Sequence, residues 1–187
     1  MKTKVGGHQI VYFDNAATTQ RPLPVVNAVL DYTTHENGNP HRGAHIFAIS
    51  ASEAYDTSKE VVRDFIHARS EKEIIYTRNT SESLNLVARS YGETHLKAGD
   101  HILITIAEHH SNLVTWQRVA QKTGATLDYI YVDKETGHFP EEELKKIDDP
   151  RVKLFAFAEV SNVLGIDFDP KPLIQRAHAH GAIVVLD

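Results

Sequence analysis

The 187-residue sequence contains no cysteine, which excludes a disulfide framework, a thiolate metal site and a cysteine nucleophile within these residues. Basic charge is not in excess either, because 25 aspartates and glutamates outnumber 20 lysines and arginines. The formal net charge of −5 argues against nucleic acid as a partner. No apolar run approaches the length that crosses a bilayer, and the first residues lack the apolar stretch of a signal peptide. We therefore expect no membrane contact and a cytoplasmic location.

Short apolar runs alternate with amphipathic segments along the sequence. Runs typical of buried strands occupy positions 11–13, 73–77, 101–106, 127–132, 153–158 and 182–186. Segments typical of helices lie after Pro22, at 51–66, and between the later strands at 80–96, 113–122, 140–147 and 170–180. This alternation predicts an α/β fold, with a mainly parallel sheet and helices on both of its faces.

The last predicted strand ends the sequence at Asp187. A parallel strand of this kind is buried on both faces, and domains rarely end on such a strand with nothing to follow. We therefore expect residues 1–187 to be the first part of a longer polypeptide, with the domain incomplete at its C-terminus.

The first candidate site lies at 78–82, between a predicted strand and a predicted helix. Asn79 and Glu82 have the spacing of a capping box, with asparagine in place of the usual serine or threonine. Backbone N–H groups at the helix start and the hydroxyls of Thr80 and Ser81 would together form an anion site that suits phosphate. Plain capping explains the same residues, and it is the better interpretation for this segment taken alone.

The second candidate is the polar run Glu108–Asn112, which follows a predicted strand. Ligands of open α/β sheets bind beyond the carboxyl ends of the strands. One interpretation is a metal site, since imidazole and carboxylate are good ligands, although the sequence has no His-Glu-x-x-His motif. Another places one imidazole against a flat cofactor as a stacking group and proton shuttle. The third is a pair of solvated histidines at a loop mouth.

Two further strand ends carry polar side chains. Asn162, within 160–165, could donate a hydrogen bond into the crevice, and Asp187 ends an apolar strand where a charge is costly to bury unless it is paired. The loop that contains His41 and Arg42 is polar and has no obvious structural purpose. Three strand ends and one helix start with such groups favour a functional site over coincidence.

Taken in order, these motifs resemble those of cysteine desulfurases in the class V aminotransferase family, in the branch that supplies sulfur for iron–sulfur cluster assembly. The matching segments are Tyr12–Thr19, Pro40–His45, Glu108–Trp116, Ser161–Gly165 and Val185–Asp187. The resemblance covers essentially the whole sequence from Val11 onward. It implies the large domain of a fold-type I transferase dependent on pyridoxal phosphate (PLP), with residues 1–20 in the small domain and 21–187 in the large one.

The resemblance implies PLP as the cofactor and a role for each matching residue. Thr80 and Ser81 would bind the phosphate, and Asn162 would hydrogen-bond the ring hydroxyl oxygen. His109 would stack on the pyridine ring and transfer protons. Asp187 would pair with the protonated ring nitrogen, which keeps the ring an electron sink. His109 and Asp187 are thus the catalytic residues that the resemblance implies, and no metal is expected.

Further residues match segments around the family's active site. Asn15 and Ala16 resemble a segment that lines the substrate end. His41 and Arg42 resemble a loop at the active-site mouth that reaches a partner subunit's site. Asn79 departs from the pattern, which commonly has glycine before the phosphate-binding pair, and this difference could alter the backbone of the loop.

The implied reaction removes sulfur from L-cysteine and gives L-alanine and an enzyme-bound persulfide, in a homodimer that passes the sulfur to an acceptor protein. The Schiff-base lysine of such enzymes follows the aspartate in sequence, and the persulfide needs a cysteine, so this sequence lacks both groups. We therefore expect these 187 residues alone to be inactive. A selenocysteine lyase, a cysteine sulfinate desulfinase and a truncated, non-catalytic binding module stay open as alternatives.

Overall fold

The computed structural model describes residues 3–187. The chain divides into two compact units, one up to Tyr76 and the other from Thr77 to Asp187. The predicted assignment of 1–20 to a small domain and 21–187 to a large one concerns the domains of a complete enzyme and stays a prediction.

The N-terminal unit is mainly helical. Strands β1 (Lys4–Val5) and β2 (His8–Gln9) form a small antiparallel hairpin. Helix α1 (Leu23–Asp31) has proline in its first turn and continues as a π-helical turn, Tyr32–Glu36, and helix α2 follows at Ile46–Phe65. A short 3-10 turn, Glu71–Glu73, comes after α2.

Two of the predicted strands, 11–13 and 73–77, are wrong. Neither segment pairs with another strand within residues 3–187, and the second begins in the 3-10 turn. Ile74 nevertheless has extended backbone angles, φ −91° and ψ 115°. The local preference for extended backbone is therefore correct there, and what is missing is a neighbouring strand to complete the hydrogen-bonded ladder.

The C-terminal unit contains a four-stranded parallel sheet in the order β4-β3-β5-β6. Its strands are β3 (His101–Thr105), β4 (Thr126–Ile130), β5 (Val152–Phe157) and β6 (Ile183–Leu186). Its helices are α3 (Thr80–Val87, continued by a π turn at Ala88–Gly92 and a last turn at Glu93–His95), α4 (His110–Thr123), α5 (Glu141–Leu144, followed by a 3-10 turn at Lys145–Asp148) and α6 (Pro170–Ala179). The predicted α/β class and parallel sheet are confirmed.

Alternate residues of the central strands pack on opposite faces of the sheet, as the period of a strand requires. On one face, Ile104 of β3 lies in a buried cluster with Trp116 and Val119 of α4. On the other face, Phe155 of β5 lies in a second buried cluster with Leu173 of α6. Helices therefore cover both faces, as predicted, and the central strands are almost wholly buried.

The ends of the helices are set by local sequence. The Asp169 side chain caps α6 by accepting a hydrogen bond from the Lys171 backbone N–H (3.1 Å), and Gly124 ends α4 in the left-handed region at φ +77°. Helix α4 begins at His110, three residues before the predicted start at Leu113, because His109 serves as its N-cap. Residues 110–112 of the polar run Glu108–Asn112 thus form the first turn of a helix. None of the helices in the described part of the chain is long and apolar enough to cross a membrane.

Candidate active site

The carboxyl ends of three strands and the N-terminus of α3 surround a cleft of about 350 Å³. It is lined by Asn79, Thr80, Ser81, His109, Ser111, Ala158, Val160, Asn162 and Asp187. All five residues that were predicted to bind a cofactor are in this set, although their segments are spread over more than a hundred positions of the sequence. The structure therefore brings these side chains together, while their individual roles stay predictions.

The start of α3 presents free hydrogen-bond donors to the cleft. The Asn79 side chain accepts a hydrogen bond from the Glu82 N–H (3.0 Å), and the Asn79 carbonyl accepts one from the Ser83 N–H (3.2 Å). Within residues 3–187, the backbone N–H groups and the hydroxyls of Thr80 and Ser81 donate to no other group. Four donors at the positive end of a helix form a site for an anion.

Capping at this helix start differs in one detail from the predicted box. The Glu82 carboxylate accepts from the Arg78 N–H (2.7 Å) and from its guanidinium, and not from the Asn79 N–H. Asn79 has φ −170°, an extended conformation that any residue adopts. Asparagine in place of the family's glycine therefore leaves the backbone of this loop unstrained.

His109 is exposed on the cleft wall, and its neighbours define which nitrogen carries the proton. Its Nδ1 accepts a hydrogen bond from the Ser111 N–H (3.1 Å) and lies 2.7 Å from the Ser111 hydroxyl oxygen. Because Nδ1 acts as an acceptor, the neutral imidazole carries its proton on Nε2. The helix start thus fixes both the position and the tautomer of this side chain.

The polar run Glu108–Asn112 divides into exposed and buried members. His109 and Ser111 line the cleft, whereas Glu108 and Asn112 are buried and hydrogen-bonded to each other (2.6 Å). Nowhere between residues 3 and 187 do three or more His, Cys, Asp or Glu side chains form a group able to hold a metal ion. The Glu108 carboxylate is turned into the protein, so the arrangement does not favour the metal interpretation.

Asp187 places a partly buried carboxylate in the cleft. Its backbone N–H donates to the Phe157 carbonyl (2.9 Å), which holds it beside β5. In the described part of the chain its side chain has no hydrogen-bond or ion-pair partner. Burial raises the pKa of Asp187, and the charge of His109 acts in the opposite direction. A desolvated carboxylate without a partner is suited to binding a cation.

Asn162 is exposed on a loop that a neighbouring serine anchors. The buried Ser161 hydroxyl donates to the Ala107 carbonyl (2.9 Å) and accepts from the Leu164 N–H (3.2 Å). Gly165 closes the loop at φ +66°. Sequence reasoning singled out Asn162 and missed Ser161. The available signal was a small hydroxyl residue directly before it, at the end of a buried strand.

The four remaining predicted residues lie in the N-terminal unit. The Asn15 side chain accepts from the Thr19 hydroxyl (3.0 Å), and Ala16 is exposed. His41 has a left-handed backbone at φ +59°, and its Nε2 lies 3.4 Å from the Asp56 carboxylate. The Arg42 N–H donates to the Asn39 carbonyl (3.3 Å). Their roles at the substrate end and at the active-site mouth stay predictions.

Comparison with known proteins agrees with these features. The aminotransferase class-V family model matches residues 11–187. The chain is 44% identical over 187 residues to a probable cysteine desulfurase of Synechocystis sp., and the match covers all of this chain and 44% of that protein. The apo structure of a cysteine desulfurase from Thermococcus onnurineus NA1 has a TM-score of 0.88 and 42% identity, covering 95% of this chain and 44% of that one.

A further solved structure, described as SspA in complex with cysteine, has a TM-score of 0.81 and 26% identity over 94% of this chain and 50% of that one. The chain thus spans half or less of the length of these relatives. The predicted resemblance to cysteine desulfurases and the predicted fold-type I architecture are confirmed. From the family match over residues 11–187, the chain belongs to the class V aminotransferase family.

Proposed function

We propose that this chain forms the cofactor-binding part of a PLP-dependent cysteine desulfurase, which takes sulfur from L-cysteine and releases L-alanine. The observation that carries the proposal is one cleft that combines the free donors of Thr80 and Ser81 with the carboxylate of Asp187. PLP has matching groups, namely a phosphate and a ring nitrogen that becomes cationic on protonation. Relatives named cysteine desulfurase support the choice of reaction.

The residues of the cleft fit this cofactor chemically. Thr80 and Ser81 would bind the phosphate through their hydroxyls and N–H groups. Asp187 would pair with the protonated ring nitrogen, and Asn162 would hydrogen-bond the ring hydroxyl oxygen. Bound PLP supplies an electron sink for negative charge at the α-carbon of an amino acid.

Asp187 must be ionised to pair with the ring nitrogen, and binding of the cofactor would itself favour that ionised state. Burial raises the pKa of Asp187, because desolvation disfavours the charged carboxylate. A cationic nitrogen beside it would lower that pKa again. Asp187 would therefore hold the ring proton at the nitrogen, because ionised carboxylate and protonated nitrogen stabilise each other.

His109 would both stack on the ring and move protons. Its Nδ1 accepts from the Ser111 N–H, so Nε2 is the nitrogen that is free to donate and accept a proton during the reaction. The exposed ring at the cleft wall is in reach of a ligand, and the N-cap contact limits its rotation. One imidazole can therefore serve both purposes without rearrangement.

The proposal concerns the protein that contains this chain, because two groups are absent from these 187 residues. No cysteine is present to carry a persulfide, and the Schiff-base lysine that the resemblance implies would come after Asp187. We propose that such an enzyme is a cytoplasmic homodimer and passes sulfur to an acceptor protein for iron–sulfur cluster assembly. We expect the 187 residues alone to be inactive.

The test is the intact mass of the protein isolated from its source organism, before and after borohydride reduction, with turnover of L-cysteine measured on the same sample. We expect reduction to attach PLP covalently and L-cysteine to give alanine. A protein without adduct and without alanine formation would instead be a non-catalytic binding module. Comparing kcat/KM for L-cysteine, selenocysteine and cysteine sulfinate separates the desulfurase from the two related activities. A solved neighbour in complex with cysteine favours the first.

A further inference from the structure

A buried carboxyl group lies directly behind the wall of the cleft. Glu108 is 8% exposed, and its Oε1 accepts hydrogen bonds from the Thr105 hydroxyl and from the Ala158 N–H (3.2 Å). Its Oε2 accepts from the Asn112 side-chain amide (2.6 Å). These partners belong to the end of β3, the residue after β5 and the first turn of α4. One carboxyl group thus connects three segments that surround the cleft.

The orientation of the Asn112 amide, and so the direction of its hydrogen bond to Glu108, is determined by an indole. The Trp116 Nε1–H donates to the Asn112 carbonyl oxygen (2.7 Å), so the Asn112 nitrogen must face Glu108. Trp116 and Asn112 are both fully buried, which leaves no water to replace a lost partner. All three groups around position 108 are donors, and the residue there must offer two acceptor oxygens. Glutamate meets this requirement, whereas glutamine offers one.

We propose that Glu108 is a positioning residue that fixes His109 against the cleft. Glu108 precedes His109 in the chain. Its side chain accepts a hydrogen bond from Asn112, which lies in the first turn of the helix that His109 caps. It also accepts a hydrogen bond from the backbone N–H of Ala158, which lines the same cleft as His109. The carboxyl group therefore sets the spacing between the cleft wall formed by His109 and the wall formed by Ala158. The catalytic consequence of this role rests on the proposed function.

Burying the Glu108 carboxyl group costs free energy, which argues that its three hydrogen bonds have a specific role. Burial raises the pKa of Glu108, and the hydrogen bonds from Thr105, Asn112 and Ala158 act in the opposite direction. The nearby charge of Asp187 raises it further. A buried acidic group of this kind persists when its partners are fully arranged around it.

The directional bonds allow a substitution pair that breaks the cluster and then rebuilds it. Glu108→Gln turns an amide N–H₂ toward a donor, either at Asn112 or at Thr105 and Ala158. Adding Asn112→Asp restores an acceptor, since the new carboxylate accepts from Trp116 and from the glutamine amide. The double variant keeps the net charge and nearly the same volume. Glu142→Gln, an exposed glutamate in α5, is the matched control for loss of charge.

The measurements are made on the complete protein isolated as its organism produces it. Histidine-selective NMR reads the imidazole of His109, assigned with His109→Gln, and steady-state kinetics with L-cysteine give kcat and KM. We expect Glu108→Gln to shift the His109 resonances and to lower kcat about tenfold or more with little change in KM, since a small misplacement of a reacting group is costly. The double variant should regain the wild-type His109 resonances and a kcat within about twofold of the wild-type value. Glu142→Gln should match the wild type in both measurements.

Three results would overturn the proposal. In the first, Glu108→Gln keeps both the wild-type His109 resonances and the wild-type kcat. In the second, the double variant regains thermal stability while the His109 signals stay shifted, so the cluster serves only to stabilise the fold. In the third, both variants fail to fold. If only the single variant fails to fold, wild-type His109 signals in the double variant support the proposal. A wild-type protein that does not bind PLP refutes the proposed function, and the NMR comparison still decides the role of Glu108.

Discussion

The start of α3 gives the sharpest prediction, because its free donors can be removed one at a time. Thr80→Val and Ser81→Ala each delete one hydroxyl that forms no hydrogen bond with any described residue. The Asn79 cap stays in place in both variants, so the helix start itself is retained. Any loss of binding then reports on the ligand and not on the fold.

The expected size follows from the chemistry of the contact. A hydrogen bond to a charged group contributes about 1.5–3 kcal/mol, and each 1.4 kcal/mol is a factor of ten in affinity. Each variant should therefore weaken PLP binding by about 10- to 150-fold. The double variant should lose less PLP affinity than the product of the two single losses, because the N–H groups of Thr80 and Ser81 remain and the two residues are neighbours.

The assay is an equilibrium titration of the cofactor-free protein with PLP and, in parallel, with pyridoxal, which has no phosphate. Affinity for pyridoxal should stay within about twofold, since the deleted hydroxyls have no phosphate to contact. Ser90→Ala is the matched control, because its hydroxyl donates to the Leu86 carbonyl (2.7 Å) farther along the same helical segment. Unchanged PLP affinity in both variants, or equal losses for PLP and pyridoxal, would refute the phosphate site.

Three other substitutions test the remaining parts of the cleft. His109→Ala should leave PLP bound and lower kcat by about 10²- to 10⁴-fold, as measured with L-cysteine, because general acid–base groups contribute on that order. Asp187→Asn should raise the melting temperature of the cofactor-free protein at neutral pH and weaken PLP binding, because burial raises the pKa of Asp187. The folded protein then binds more protons than the unfolded chain, and its stability falls as pH rises from the ordinary carboxyl pKa through the raised one. Ser161→Ala should lower the free energy of unfolding, measured by chemical denaturation, by about 1–3 kcal/mol, since it leaves the buried Ala107 carbonyl without its hydrogen-bond partner.

Each of these substitutions has a result that contradicts its reasoning. Turnover unchanged in His109→Ala would exclude the proton-transfer role. An Asp187→Asn protein with the same pH dependence of melting as the wild type would show that the desolvated carboxylate is not destabilising. Glu108 has the same sign of pKa shift, so part of the pH dependence should survive in that variant. Wild-type unfolding of Ser161→Ala would mean that the loop does not depend on this hydroxyl.

Much of the C-terminal unit could be predicted because its signals are local. The cap and proline at the start of α6, the left-handed glycine after α4 and the apolar runs of β3 and β5 act over a few residues. The cleft residues could be predicted for a related reason, since each stands at a strand end or a helix start. In a parallel sheet the carboxyl ends of all strands lie at one edge, so position along each strand already implies proximity there.

The tertiary structure alone decided which polar residues face the cleft and which face the core. With α4 beginning at His110, the spacing of four residues places Glu108, Asn112 and Trp116 in one buried, hydrogen-bonded series, while His109 stays exposed. The sequence predicted neither this division nor the missing strand pairing at 11–13 and 73–77. The physical reason is the same in both cases. Burial of a carboxyl group and formation of a strand each depend on hydrogen-bond partners that distant parts of the chain must supply.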